Sequence, residues 1–379
     1  ARVLCAILVM LSAHVCADQD AGGAAAAQGA GFVDAGDGWF DVSEFLDSAY
    51  GFVPVLAPIT EPAVGYGAVG ALVFIDRKEP GQGQSYARPN IAAIGGLATE
   101  NGTRGLFAAH LGNWRGGRLR TLAAWADADV NLEFFGLGDD PGPGVDYSLE
   151  ARGGVLGGNY QIGATPAWLG LRYALVTTQV GRDDPHTRPS SIPASDLDLE
   201  LAALTASLTW DTRDSFFTPT RGWYLDLSVP VFLTPLGSDR HFEKAILTGL
   251  YHRPVSDVLY FGARAAARTS SDGTPFFLRP FVMLRGVQAL RYQGEQAAEL
   301  ELELRWQLHS RFSLVGFGGA GIARSDGPGY KKEETFTAGG VGFPYLVSRK
   351  HGLHMGIDVA AGPDDPVIYF VFGSAWLRP

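Results

Sequence analysis

The sequence predicts an all-β protein, a transmembrane antiparallel β-barrel of sixteen strands with a short N-terminal helix. Three observations carry this. Period-2 alternation runs from about residue 63 to residue 379 with almost no helical signal. The polar face of these runs carries charges as well as hydroxyls, strand after strand. The chain also opens on what reads as an export signal. The composition agrees: 50 Gly with 22 Phe, 13 Tyr and 8 Trp suit barrel strands, and 46% hydrophobic residues is low for a helical membrane protein.

The signal is expected over residues 1–17. Arg2 precedes the apolar run Val3 to Leu11, and Val15-Cys16-Ala17 ends in small residues before Asp18. That run is too short to span a bilayer, which needs about 20 residues. Both cysteines, Cys5 and Cys16, fall inside it. Cleavage after Ala17 therefore leaves no thiol, no disulfide and no Cys-based metal site. Residues 18–40 are Ala/Gly-rich and read as a flexible linker. Residues 41–62 read as a short amphipathic helix and a Pro-rich lead-in. Ser43 is placed to cap the helix, with Phe45, Leu46, Ala49 and Tyr50 on one side, and Pro54 to Pro62 end it.

The barrel is expected over residues 63–379. Its clearest strand is Glu299-Leu300-Glu301-Leu302-Glu303-Leu304-Arg305-Trp306-Gln307-Leu308. A helix would scatter these charges around its circumference; a strand puts them all on one face. Trp223 to Val229 and Leu204 to Trp210 repeat the device. Strands are expected near 63–76, 89–98, 103–113, 118–131, 146–161, 166–179, 198–211, 222–232, 241–252, 257–269, 296–308, 311–323, 335–346, 352–361 and 367–377. Many are close to the 9–11 residues that a tilted membrane strand needs. These are fifteen segments. Bacterial barrels have even numbers of strands, so the expectation is sixteen, one being missed or fused.

Several function classes find no support. A net charge of -10 with no Lys/Arg cluster disfavours nucleic acid. There is no GxSxG, HExxH or GxxxxGK[ST] motif, so no catalytic residue and no cofactor is assigned. His351 and His354, three apart on a strand, point to opposite faces and do not form a metal pair. The acidic loop Asp139-Asp140-Pro141 reads as a solvated turn.

Two motifs remain. The first is the hairpin Trp210-Asp211-Thr212-Arg213-Asp214-Ser215-Phe216-Phe217-Thr218-Pro219-Thr220-Arg221-Gly222. Pro219 and Gly222 form turns, and Asp211, Arg213 and Asp214 can satisfy one another. The second is Leu284-Arg285-Gly286-Val287, ahead of the Glu/Leu strand. An inward-folded Arg285 would need a carboxylate. Glu299, Glu301 and Glu303 are the candidates, with Glu303 favoured.

In order and spacing these motifs resemble the bacterial surface antigen family, across roughly residues 60–379. This is the superfamily of outer-membrane assembly and translocation barrels that includes BamA, TamA and the two-partner-secretion translocases. The resemblance implies an outer-membrane location and a sixteen-stranded barrel. It also implies a loop bearing Arg285 that folds into the lumen. Its expected partners are outer-membrane lipid, unfolded outer-membrane or secreted protein clients, and a periplasmic partner. Three departures stand out. Val287 replaces an aromatic residue of the motif. Gly319 stands where an aspartate is usual on the strand after the Glu strand. Residues 18–62 are too short a stretch for a POTRA repeat. The competing expectations are a passive or gated pore and a structural surface antigen.

Overall fold

The computed structural model of the protein describes residues 31–48, 51–76, 90–135, 144–181, 194–327 and 330–376. The expected signal at 1–17, the loop at 139–141, Ala49, Tyr50 and Arg378-Pro379 lie outside the described residues.

Sixteen strands form one antiparallel sheet in simple chain order, curled into a nearly closed barrel. They are β1 Gly51–Glu61, β2 Gly65–Asp76, β3 Asn90–Thr99, β4 Arg104–Trp114, β5 Leu119–Phe134, β6 Val145–Gln161, β7 Ala167–Gly181 and β8 Asp198–Asp211. The second half is β9 Gly222–Phe232, β10 Phe242–Pro254, β11 Leu259–Ser270, β12 Gln296–Gln307, β13 Ser313–Gly327, β14 Tyr330–Ser348, β15 Leu353–Ala361 and β16 Val367–Phe372. A six-residue helix, α1 Ser43–Ser48, precedes them. No helix among the described residues is long and apolar enough to cross a membrane.

β12 shows why this sequence makes a membrane barrel. Glu299, Glu301 and Arg305 are buried, while Leu300, Leu302, Leu304 and Trp306 are exposed. Water would favour the reverse. A closed sheet in lipid favours this arrangement, with charges in the lumen and apolar chains toward the acyl region. Leu106, Leu156, Leu169, Leu208, Leu225 and Ile357 continue the exposed apolar surface around the barrel. Closure also leaves few backbone groups unpaired where water cannot reach them.

The connections alternate between two rims. The loop rim carries the β1–β2 turn and the long β11–β12 connection. The turn rim carries the start of β1, the β8–β9 hairpin and the β12–β13 and β14–β15 turns. Near the turn rim, exposed and half-buried aromatics collect on the outer face. Trp223 and Tyr251 have ring centroids 4.3 Å apart, and Trp210 and Trp306 lie at the ends of β8 and β12. Such belts sit at membrane–water boundaries.

The missing sixteenth strand is β1. The expected Pro-rich lead-in is itself this strand, with Pro54 and Pro58 inside it. A strand hydrogen-bonded on one side only tolerates them, because residues four apart present their missing donors to the same edge. β1 pairs with β2 from Gly51↔Ile75 to Glu61↔Gly65 and has no second ladder among the described residues.

The expected short helix forms as α1, but the segment before it is not the expected free linker. Residues 31–48 form a clasp on the turn rim. Val33 bridges Phe40, and Asp34 N donates to Trp39 O at 2.9 Å. Arg311, in the β12–β13 turn, has a fully buried side chain and meets Asp34 at 2.9 Å, Asp37 at 2.7 Å and Asp41 at 2.5 Å. Burial pushes the Asp41 carboxyl up, but hydrogen bonds from Ser43 and Arg311 outweigh it and hold the group at about 2. Ser43 does not cap α1 with its hydroxyl. That oxygen lies 2.9 Å from Ser348 Oγ and accepts Lys350 N, while Asp41 accepts Ser43 N.

Candidate functional site

The lumen is occupied by the β11–β12 connection, residues 271–295, which folds back against the inner faces of the strands. Its tip turns at Gly286, whose φ of +86° favours glycine. A Cβ there would come within 3.0 Å of the Ala361 backbone. Leu284 and Val287 are buried beside the tip with Val282, Ala323 and Phe336. Val287, where the resembling family has an aromatic, fills an apolar site.

Arg285 points into the lumen and meets three carboxylates. Its Nε donates to Glu301 Oε1 at 2.5 Å, Nη2 to Glu303 Oε2 at 2.8 Å and Nη1 to Asp358 Oδ2 at 2.7 Å. The guanidinium also lies 3.5 Å from the ring centroid of Phe317. A planar fork with five donors suits such a site better than an ammonium. Two of the three acids named from sequence are therefore partners, and Glu299 is not. Glu299, fully buried, accepts from Arg264 at 2.8 Å and Arg268 at 2.7 Å. Arg264 in turn donates to the loop carbonyl of Met283 at 3.0 Å, so Glu299 holds the loop through an arginine.

The carboxylate expected at position 319 comes from elsewhere. Gly319 pairs with Glu301, and a Cβ on it would fall 2.5 Å from Leu300 O and 3.1 Å from Leu284 Cδ2. Leu284 fills the space an aspartate would need. Asp358, on β15, completes the set from a different strand.

The hairpin motif stands beside this centre. Arg213 makes a bidentate pair with Asp211, both contacts at 2.9 Å, and its Cζ lies 4.4 Å from the Tyr224 ring centroid. It is almost fully buried, unlike an ordinary surface ion pair. Asp214 accepts the backbone N–H of Thr220 at 2.9 Å and of Arg221 at 3.2 Å, and also binds the Thr220 hydroxyl. Pro219 and Thr218 line a small cavity into which His252, Arg285, Glu303, Arg305 and Asp358 also reach. Gly222 has φ +113°, and a Cβ there would meet Thr212 O at 2.3 Å.

The C-terminal strand reaches the same place. At Gly373, φ +73°, the chain leaves β16 and enters the lumen. Ser374 N donates to Phe217 O of the hairpin at 2.6 Å. Trp376 is buried, its ring centroid 5.7 Å from that of His252 and 5.9 Å from Arg285 Cζ. Loop, hairpin and terminal strand thus converge. Sequence reasoning missed Asp358, Arg264, Arg268, Phe317 and Trp376. Asp358 and Trp376 come from the far end of the chain and reach the loop only because the sheet closes, whereas Arg264 and Arg268 lie on β11, which runs into the loop.

The seam between first and last strands is different from every other neighbour pair. β15 and β16 share a register of six residue pairs, and the other neighbours share more. β1 and β16 share no ladder among the described residues. Phe370 N donates instead to the side chain of Thr60, Oγ1 at 3.1 Å.

The Omp85 superfamily domain matches residues 144–340, more than half of the chain. A search of the curated proteins finds no match. Among solved structures, CdiB from Escherichia coli superposes with a TM-score of 0.58 at 15% identity, over 84% of this chain and 61% of its own. BamA from Haemophilus ducreyi lacking POTRA domains 1-3 superposes with a TM-score of 0.54 at 11% identity, over 86% of this chain and 70% of its own. At these identities the likeness is one of fold, and this chain spans less than two thirds of CdiB. The family match and the barrel together make the conclusion: the chain belongs to the Omp85 superfamily and is a bacterial outer-membrane β-barrel.

Proposed function

We propose that this barrel handles unfolded protein clients, in outer-membrane assembly or translocation, by parting β1 from β16. The observation that carries the reading is the seam. Parting a full antiparallel ladder in lipid would expose a row of backbone donors and acceptors, each costing several kcal/mol. Here Thr60 Oγ1 to Phe370 N is a side-chain contact, so little has to be broken. A client strand could then pair with the free edge of β1, the edge spared by Pro54 and Pro58 only in part.

The lumen supports this over a passive pore. The loop and the inner faces of β3 to β8 bury an apolar cluster that includes Phe107, Phe134, Tyr147, Leu199, Phe276 and Leu290. Phe134 and Tyr147 pack their rings on Phe276 at 4.8 and 5.3 Å. Such packing does not favour a wet path. The reading assigns no covalent chemistry to the chain, and client delivery falls to a periplasmic partner.

The test is a bridge across the seam. Thr60→Cys and Phe370→Cys would be joined by a short bifunctional maleimide, with Cys5 and Cys16 replaced by Ser. Proteoliposomes would then be offered a small urea-unfolded outer-membrane barrel. Unbridged protein should accelerate its insertion and bridged protein should not. Equal acceleration by both would remove the seam from the mechanism. Solute leakage without any acceleration would favour the pore.

A further inference from the structure

The clasp, residues 31–48, makes no contact with Arg285, although Val42 packs on the cluster that holds Phe217 of the hairpin. Beyond the Arg311 pairs, Val42 N donates to Val347 O at 2.8 Å and the Tyr345 hydroxyl donates to Phe40 O at 2.7 Å. Arg349 adds a second cation, on Asp34 at 3.4 Å and on Asp37. The clasp is therefore fixed to the rim rather than trailing from it.

This fixed segment leaves large apolar side chains uncovered. Phe32, Val33, Trp39, Phe40 and Leu46 are all exposed, Val33 the most at 59%. Phe32 stacks on Phe40 at 6.1 Å between centroids and also meets Phe45 at 5.7 Å. A contiguous patch of this kind marks a contact with a partner or a membrane.

The patch is continuous with the outer surface of the barrel. Trp39 packs edge-on against Phe312, centroids 5.4 Å apart, and Phe312 stacks on Phe343 at 5.5 Å. Phe343 is an exposed outward residue of β14, in the same alternation as Val341. Leu308 and Leu314 flank Phe312 and are exposed as well. Lipid that covers Phe343 meets Phe312 and then Trp39, with the His309 ring beside both at 6.4 and 6.1 Å. Three of the clasp's acids, Asp34, Asp37 and Asp41, turn to Arg311 and Arg349, while the exposed Glu44 accepts the backbone N–H of Gly31. A free acidic segment would be poorly suited to a membrane surface; one whose acids are paired is not.

We propose that the clasp is a lipid-interface element. Its aromatic face lies at the headgroup–acyl boundary of the leaflet at the turn rim and extends the apolar belt of the barrel beyond the strand ends. Indole, phenyl and phenol rings at such a rim are what that boundary accommodates. The occupant is phospholipid. A protein partner, or residues 18–30 of this chain, would be the other ways to cover the patch.

The test uses the full chain in phosphatidylcholine bilayers, with Cys5 and Cys16 replaced by Ser. Val33→Cys and Phe40→Cys would each carry an environment-sensitive fluorophore. Leu314→Cys serves as the lipid-facing reference and Ala164→Cys, in an exposed turn on the same rim, as the aqueous one. Val33 is the most exposed position, so its variant keeps the test informative if Phe40→Cys folds poorly. With shallow-brominated phosphatidylcholine, both clasp positions should lose emission about twofold, as Leu314→Cys does, and resist aqueous iodide. Clasp positions that follow Ala164→Cys and are quenched by iodide would overturn the proposal. So would positions shielded from both quenchers, which would mean that protein covers the patch.

Discussion

Arg285 and Asp358 are 73 residues apart in the chain and 2.7 Å apart in the lumen. The pair ties the β11–β12 loop to β15, while Glu301 and Glu303 tie the same guanidinium to β12. One side chain thus bridges strands that are not neighbours in the sheet. The loop is fixed in the lumen by a buried cation rather than by its own backbone pairing.

Removing that cation should be costly. Arg285→Ala leaves Glu301, Glu303 and Asp358 buried without their common partner, and breaking one side of a buried pair costs about 3–5 kcal/mol. The expected result is rapid proteolysis within residues 271–295 and a lower temperature for the heat-induced gel shift. Arg285→Lys should fall between, since an ammonium does not serve three carboxylates in a plane. A loop as protected as in the parent protein would contradict the role given to Arg285.

Restoring the family-like aspartate should fail. Gly319→Asp places a side chain where Leu300 O and Leu284 Cδ2 already stand. Overpacking of this kind costs about 1–3 kcal/mol, and here it would also dislodge Leu284. The gel shift should move to lower temperature. An increase in stability would show that position 319 has room for a carboxylate beside Arg285.

Acid should release the clasp in a defined window. Asp41 is held at about 2 against a usual 3.8. A carboxyl with a depressed folded value contributes stability that is full above the unfolded value and is lost as pH falls through the folded one. The Asp41 contribution, on the order of 2 kcal/mol, should be constant above about pH 4 and gone below about pH 2. Protease sensitivity of residues 31–48, read with an acid-active protease, should rise across that interval. Asp41→Asn should raise the sensitivity at neutral pH and flatten its pH dependence.

The terminal strap should detach without its tryptophan. Trp376 packs on the bare Gly262, where a Cβ would lie 2.7 Å from the indole. Trp376→Ala removes that packing, worth about 3–5 kcal/mol for a buried tryptophan. A label at Ser374→Cys should become mobile in electron spin resonance, while Arg285 keeps its acids. An immobile label would assign the strap to Ser374 N and Phe217 O alone.

The barrel was legible because β12 alternates leucine with charge, and a strand is what separates the two. β1 was not, because Pro54 and Pro58 are read as breakers unless one already knows which strand has an unpaired edge. The Arg285 partners on β12 were within reach, since the loop runs straight into that strand. Asp358 was out of reach, because its approach depends on closure of the sheet across the lumen. The clasp was hidden for a similar reason. Asp34, Asp37 and Asp41 are ordinary acids in a glycine-rich stretch until Arg311, some 270 residues later, is folded against them.

The most direct measurement of the central claim is amide hydrogen exchange in lipid nanodiscs. Residues 51–61 and 367–372 should exchange at least about tenfold faster than residues 296–307, because the outer strands lack the second ladder that protects β12. Protection of β1 and β16 equal to that of β12 would mean a closed ladder, and would contradict a barrel that works by parting them.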